Sequence, residues 1–210
     1  MGNRRVIVIG AGIGGLAAAV DLAASGVDVT VLEKAAAPGG KMRELNVGGV
    51  AIDSGPTVFT MRGVFDELFA TAGTRIEDEI SLERAERLAR HAWLDGSRLD
   101  LYPEIDRSAD AIAAFAGRNE ADAYRRFAAD AGSIYETLAD TFMNRDKPGP
   151  VGLSLSLGLG GLPRLYRTRP FTSLWNELGR YFEDPRLRQL FARYATYTGS
   201  SPFAAPATLM

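Results

Sequence analysis

The chain predicts an α/β protein: a βαβ nucleotide-binding region with β-hairpin insertions, followed by a largely helical region. Three observations carry that prediction. Val- and Ile-rich runs at Arg5–Ile9 and Asp28–Leu32 bracket an Ala-rich stretch, Ile13 to Ser25. Strand, helix and strand within about 30 residues make a βαβ unit with parallel strands. Gly10, Gly12 and Gly15 fall between the first strand and the helix in G-x-G-x-x-G spacing, which makes the unit Rossmann-like. Beyond residue 105, apolar residues recur at helical rather than strand spacing.

The elements follow in order. Arg5–Ile9 is a short continuous apolar run, expected to be a strand buried on both faces. The helix from Ile13 has Leu16, Val20 and Leu22 on its apolar stripe and closes at Gly26, an αL residue past its end. Leu45–Val47 and Val50–Ile52 flank Gly48-Gly49, and Ala89–Leu94 and Arg98–Tyr102 flank Asp95-Gly96; both patterns signal hairpins. Ser108 is expected to cap a short helix. A longer helix begins at Asn119, with Tyr124, Phe127, Ala128, Ala131, Ile134, Tyr135, Leu138 and Phe142 at i, i+3, i+4 spacing. Asp184-Pro185 pairs a carboxylate N-cap with Pro at N1, and Leu187, Leu190, Phe191 and Tyr194 form the stripe that follows. Pro206 marks another helix start. These features divide the chain into an expected nucleotide-binding region, 1–105, and a mainly helical segment, 106–210, expected to be cut short at its C-terminal end.

Composition excludes several chemistries. Hydrophobic residues make up 46% and charged residues 24%, the balance of a globular chain. There is no Cys, so disulfides, thiolate catalysis and Cys-ligated metal are excluded. His91 is the only His. A His cluster for a metal is therefore impossible, and a packing or surface role for His91 is expected. The net charge of −2, with both signs interspersed, gives no footprint for nucleic acid. The apolar run after Arg4-Arg5 ends at Ile9, too short for a signal peptide. No run of 18 apolar residues exists, so no spanning helix is expected, and a cytoplasmic location is.

The nucleotide site can be drawn residue by residue. Gly10 permits the tight turn, Gly12 lets the backbone approach a pyrophosphate, and Gly15 lets helix and strand pack closely. Gly14 shares the loop. The pyrophosphate is expected at the helix N-terminus. Glu33 lies 18 residues after Gly15, at the end of the second strand, where a carboxylate accepts ribose hydroxyls and repels a 2′-phosphate. Lys34 stands beside it. Pro38-Gly39-Gly40-Lys41 follows at once, with Arg43 two residues on. A Gly pair lets a second loop come close to a ligand, and Lys41 and Arg43 would offset two phosphate charges. A second phosphate-side loop suits FAD better than a nicotinamide dinucleotide.

Val31 to Lys41, with the G-x-G-x-x-G loop before it, resembles the N-terminus of the FAD-dependent amine oxidase and phytoene desaturase superfamily. The resemblance implies that Gly39-Gly40 is the shared flavin-binding loop, with Lys41 as in the desaturase branch. It also implies that Asp53-Ser54-Gly55-Pro56-Thr57 lies near the flavin ring. GPTVFTMR (55–62), ARHAWLDGSRLDL (89–101) and YATYTGSSPFAAPATLM (194–210) are similar to the bacterial hydroxycarotenoid (hydroxyneurosporene-type) 3,4-desaturases. That narrower likeness implies dehydrogenation of a carotenoid, with FAD accepting the hydride equivalent. Members are longer, so the 210 residues alone are expected to be inactive, and the remainder is expected to return to the sheet and complete the site. The reading leaves the catalytic residue unassigned; Asp53 is a candidate, against a turn or cap role.

A lipophilic substrate implies a membrane surface. The uncharged, Gly- and Leu-rich run Val151–Leu162, followed by Arg164, Arg167 and Arg169, is either an apolar loop or a patch in peripheral contact with the inner membrane. Three other readings stay open: a phytoene desaturase, a flavin oxidase of amines or porphyrinogens, and a noncatalytic nucleotide-binding fragment.

Overall fold

The computed structural model describes residues 4–56, 58–139 and 166–210. It falls into two compact units, residues 1–83 and 84–210.

In the first unit, β1 (Arg5–Ile9) pairs in parallel with β2 (Asp28–Leu32), and α1 (Ile13–Ala24) crosses between them. The helix ends in a Schellman turn. Gly26, at φ 80°, donates to the Ala23 carbonyl at 2.9 Å, and Val27 donates to the Leu22 carbonyl at 3.1 Å. β1 is not buried on both faces. Val6 and Val8 are half-buried while Ile7 and Ile9 are exposed at 63% and 86%. The sheet has two strands among the described residues; α1 packs on it, and the face carrying Ile7 and Ile9 stays open.

β3 (Arg43–Val47) and β4 (Val50–Ser54) form the first hairpin. Gly48 and Gly49 both take positive φ, 60° and 86°, as a two-residue turn matching strand twist requires. α2 (Arg62–Thr71) and the single turn α3 (Ile76–Glu79) follow.

The second unit holds most of the core. β5 (Ala89–Ala92) and β6 (Arg98–Leu101) form the second hairpin. It belongs with the helices rather than with the βαβ region, because Leu99 and Leu101 pack into the same cluster as Ala109, Ile112, Leu174, Leu178, Phe182 and Leu187. The division between units therefore falls after Glu83, not near residue 105. Trp93 locks the hairpin turn: its indole N–H donates to Gln189 at 3.0 Å and its ring lies 5.1 Å from Phe115.

α4 spans Ile105–Ala116 and α5 spans Arg118–Leu138. Ser108 is not a cap. It lies inside α4, fully buried, and its hydroxyl both accepts from the Tyr102 N–H and donates to the Tyr102 carbonyl. On α5, Phe127 and Ile134 are buried but Tyr135 is 57% exposed; Phe142 lies outside the described residues. α6 (Leu174–Tyr181) and α7 (Pro185–Ala192) complete the cluster. Asp184 caps α7 by accepting from the Arg186 N–H at 2.8 Å, with Pro185 in the first turn. Phe127, Phe182 and Phe191 meet with ring centroids 4.9–5.5 Å apart. The chain ends in 3₁₀ turns at Arg193–Thr198 and Ala207–Leu209, the latter preceded by Pro206.

Candidate nucleotide-binding site

Three glycine segments converge in the first unit. Gly10 leaves β1 with φ 101°, and its N–H donates to the Leu32 carbonyl at 2.7 Å, continuing the β1–β2 ladder by one bond. The next peptide, Ala11, is 4% exposed and acts as a hub. Its N–H donates to Glu33 Oε2 at 2.7 Å, and its carbonyl accepts from the Gly39 N–H at 2.8 Å. The two glycine loops are thus tied through one peptide, and Gly12 bridges Gly39.

The tightness of these contacts explains the residue types. A Cβ on Gly15 would lie 1.9 Å from the Gly10 carbonyl oxygen, so α1 can start this close to β1 only with glycine there. A Cβ on Gly40 would lie 3.1 Å from Gly12 Cα, and Gly40 itself sits at φ 62°. Gly39, at φ 125°, lies against the Met42 carbonyl, and a Cβ on Gly55 would come within 2.1 Å of the Lys41 carbonyl oxygen. By contrast, a Cβ on Gly14 would meet nothing within 4 Å. The start of α1 therefore has open space beside it.

That helix start suits an anion. Gly12 is its N-cap without any side-chain cap, and the first turn carries no acidic residue. The opening N–H groups of a helix lack intrahelical partners and carry the positive end of its dipole. Glu33 stands next to this loop. Both its oxygens accept backbone N–H groups, Oε1 from Ala35 at 2.9 Å and Oε2 from Ala11. Those bonds, Ala35 first and Ala11 second, hold its carboxyl below the usual glutamate range. A carboxylate oxygen has more than one acceptor position, so each keeps capacity for a hydroxyl. Lys34, Lys41, Arg43 and Pro56 are all exposed, and Thr57 lies outside the described residues. Asp53 sits within β4 opposite Glu44 and is exposed, neither turn nor cap.

Two contributors were not singled out by motif. Ala11 is the first variable position of the glycine motif; its small side chain before a second glycine is the signal available. Gly55 packs on the Lys41 carbonyl, a contact between segments 14 residues apart in sequence that no spacing rule encodes.

In the second unit, His91 lies on β5, half-buried, with a buried Nε2 that has no hydrogen-bond partner among the described residues. Burial first, and the Arg193 charge second, push its pKa down. Arg169 does not reach outward as a free cation. It donates to Asp130 at 3.0 Å, to the Tyr181 hydroxyl at 2.8 Å and to the buried Glu177. Of the stretch 151–169, only residues 166–169 are described. Among the described residues no group of acidic and His side chains could hold a metal, and no helix is long and apolar enough to cross a membrane.

A parallel βαβ unit with its glycine turn at a helix start and a carboxylate at the end of β2 defines a Rossmann-like dinucleotide-binding region. Residues 8–72 match the NAD(P)-binding Rossmann-like domain family. Along 209 residues the chain is 50% identical to the hydroxyneurosporene desaturase of Rubrivivax gelatinosus, covering 99% of this chain and 40% of that one. It is 46% identical over 205 residues to the hydroxyneurosporene desaturase of Rhodobacter capsulatus, covering 97% and 41%. The chain is thus a homologue of the hydroxyneurosporene desaturases, and it spans about two fifths of their length. A solved putrescine oxidase triple mutant, from a redesign of cofactor binding, overlays with a TM-score of 0.53 at 16% identity, covering 99% of this chain and 40% of that one. At that identity the overlay speaks for the fold.

Proposed function

We propose that this chain forms the flavin-binding part of an FAD-dependent carotenoid desaturase acting on a hydroxylated acyclic carotenoid. The observation that carries the proposal is the Ala11 hub, which holds a second glycine loop against the first. A nicotinamide dinucleotide needs the first loop and Glu33; a second loop laid against Gly12 suits a longer ligand whose diphosphate passes both. The homology to hydroxyneurosporene desaturases along nearly the whole chain supports the substrate class.

The residues fit such a ligand. Glu33, fixed by two backbone N–H groups, would accept the ribose hydroxyls. Gly12 and the open first turn of α1 would receive the diphosphate, with Gly14 leaving room. Lys34, Lys41 and Arg43, exposed next to these loops, would offset its charge. Gly55 packs against the Lys41 carbonyl beside the second loop, and Pro56 follows it directly. When bound, FAD supplies the two-electron acceptor for dehydrogenation. The chain's own part is to bind and orient it; no side chain described here is assigned as acid or base.

Peripheral contact with the cytoplasmic face of the inner membrane belongs to the same proposal, since the substrate is lipophilic. Tyr166 and Phe171, 72% and 88% exposed, flank Arg167 next to the Gly- and Leu-rich run, a pairing of aromatic and cationic side chains suited to a headgroup region.

The test replaces the aligned N-terminal two fifths of the Rubrivivax gelatinosus relative with this chain and expresses the chimera in cells that accumulate hydroxylated acyclic carotenoids. Pigment extracts are compared with an empty vector. A shift of absorption to longer wavelength is expected, together with flavin in the purified protein. Purified protein without flavin would refute the cofactor reading. Flavin with unchanged pigment would refute the substrate reading alone.

A further inference from the structure

The first unit is short of a core. Of the buried apolar residues among those described, only Ala11 and Ile76 come from residues 4–83. Its bare apolar surface is concentrated on the first hairpin. Register pairs Leu45 with Ile52 and Val47 with Val50. Residues opposite one another in a ladder share a face, so these four side chains form one apolar face. All four are exposed, at 47%, 47%, 58% and 62% for Leu45, Ile52, Val47 and Val50. The opposite face carries Glu44, Asn46, Ala51 and Asp53. Alternation this regular is the pattern of a strand pair with one side against a core and one side in water.

We propose that the Leu45–Val47–Val50–Ile52 face is an internal docking surface for polypeptide corresponding to the C-terminal three fifths of the relatives. Three points select that occupant. First, the relatives it matches extend well beyond the matched stretch, which takes up 40% and 41% of their lengths. Second, β3 and β4 each pair with one strand among the described residues, so each has an outer edge of N–H and C=O groups. Lipid cannot satisfy such an edge, whereas polypeptide can. Third, the face is small. Four half-exposed aliphatic side chains offer an apolar area on the order of 200 Å². A stable contact between separate molecules takes about 800 Å² from each. A face of this size suits a segment delivered by covalent connection, at high effective concentration, better than a second copy. This inference is independent of which cofactor or substrate the protein takes.

The chain contains no Cys, so a single thiol can report on each face. Ile52→Cys probes the apolar face and Ala51→Cys the opposite one. Each is placed in the 210-residue chain and in the chimera described above, and maleimide labelling at that site is followed by peptide mass spectrometry. The expected result is labelling at position 52 at least about tenfold slower in the chimera than in the chain alone, with a smaller change at position 51. The same two substitutions at the aligned positions of the intact Rubrivivax gelatinosus relative provide a second measurement, which stands if the chimera misfolds. Equal labelling rates at position 52 in the chain and in the larger proteins would overturn the proposal. Protection at position 52 in the chain alone that grows with protein concentration would assign the face to a second copy instead. Protection that requires added phospholipid vesicles would assign it to a membrane.

Discussion

Gly15 offers the sharpest test of how the nucleotide loop is built. In Gly15→Ala the new Cβ falls 1.9 Å from the Gly10 carbonyl oxygen and 3.1 Å from its carbon. A carbon–oxygen contact relaxes at about 3.3 Å, so helix and turn must separate by roughly 1.4 Å. The obstacle is backbone, which cannot rotate away. Overpacking of this kind costs about 1–3 kcal/mol. Alanine recovers up to about 1 kcal/mol of helix propensity, leaving a net destabilisation of about 2 kcal/mol if the upper end applies. Gly14→Ala is the matched control. It lies one residue away in the same helix with nothing within 4 Å, so it keeps the propensity gain of about 0.5–1 kcal/mol. The propensity gain is common to both and cancels, so the two variants should differ by the overpacking cost itself, about 3 kcal/mol at its upper end, on the order of a hundredfold in the opening equilibrium at about 1.36 kcal/mol per decade. Trp93 and Trp175 both lie in the second unit, so tryptophan fluorescence will not see the effect. Amide hydrogen exchange along α1 and β1 will. Variants within threefold of each other, or Gly14→Ala as the more damaging, would refute the steric account.

Further outcomes follow from the same geometry. Leu178→Ala should destabilise the second unit by about 2–5 kcal/mol, because Leu178 is fully buried in the main cluster; urea unfolding followed by tryptophan fluorescence measures it. Arg169→Met should cost about 2–3 kcal/mol, below the 3–5 kcal/mol of a fully buried pair because Arg169 is 29% exposed and Glu177 keeps Arg180; adding Glu177→Gln should recover part of the loss, and no recovery would count against the pair. Glu33 has a folded pKa below its unfolded value. Its contribution is therefore present above the unfolded pKa and is lost as pH falls through the folded one. Glu33→Gln should flatten the acid limb of α1 protection measured by hydrogen exchange, and an unchanged acid limb would separate Glu33 from the loop. Tyr181, its pKa pushed up to about 12 by burial and by its bond to Asp130, favours the neutral hydroxyl in the folded state. Stability tied to it is full below pH about 10 and declines as pH rises toward 12, a decline that Tyr181→Phe should remove from alkaline unfolding curves.

Sequence alone determined what depends on neighbours along the chain. β1, α1 and β2, the Schellman closure at Gly26, the two-glycine hairpin and the Asp184-Pro185 helix start are all decided by groups within a few residues. Local propensity and hydrogen bonding are readable at that range. The glycine motif and Glu33 were legible for the same reason, since their spacing is fixed by one turn and one crossover. Tertiary structure decided the rest. Ser108 looked like a cap, but its hydroxyl closes on the Tyr102 backbone from inside α4. Ile7 and Ile9 have the composition of buried strand residues, yet burial depends on what covers a face. Arg169 follows the uncharged Gly- and Leu-rich run in sequence, yet its partners Asp130 and Glu177 come to it through the fold from 39 and 8 residues away. The Ala11 hub and the Gly55–Lys41 contact arise where separate loops approach to within a hydrogen bond or closer. A sequence carries the permission for such approaches, in its glycines and its alanine; only the folded chain decides which backbone comes near.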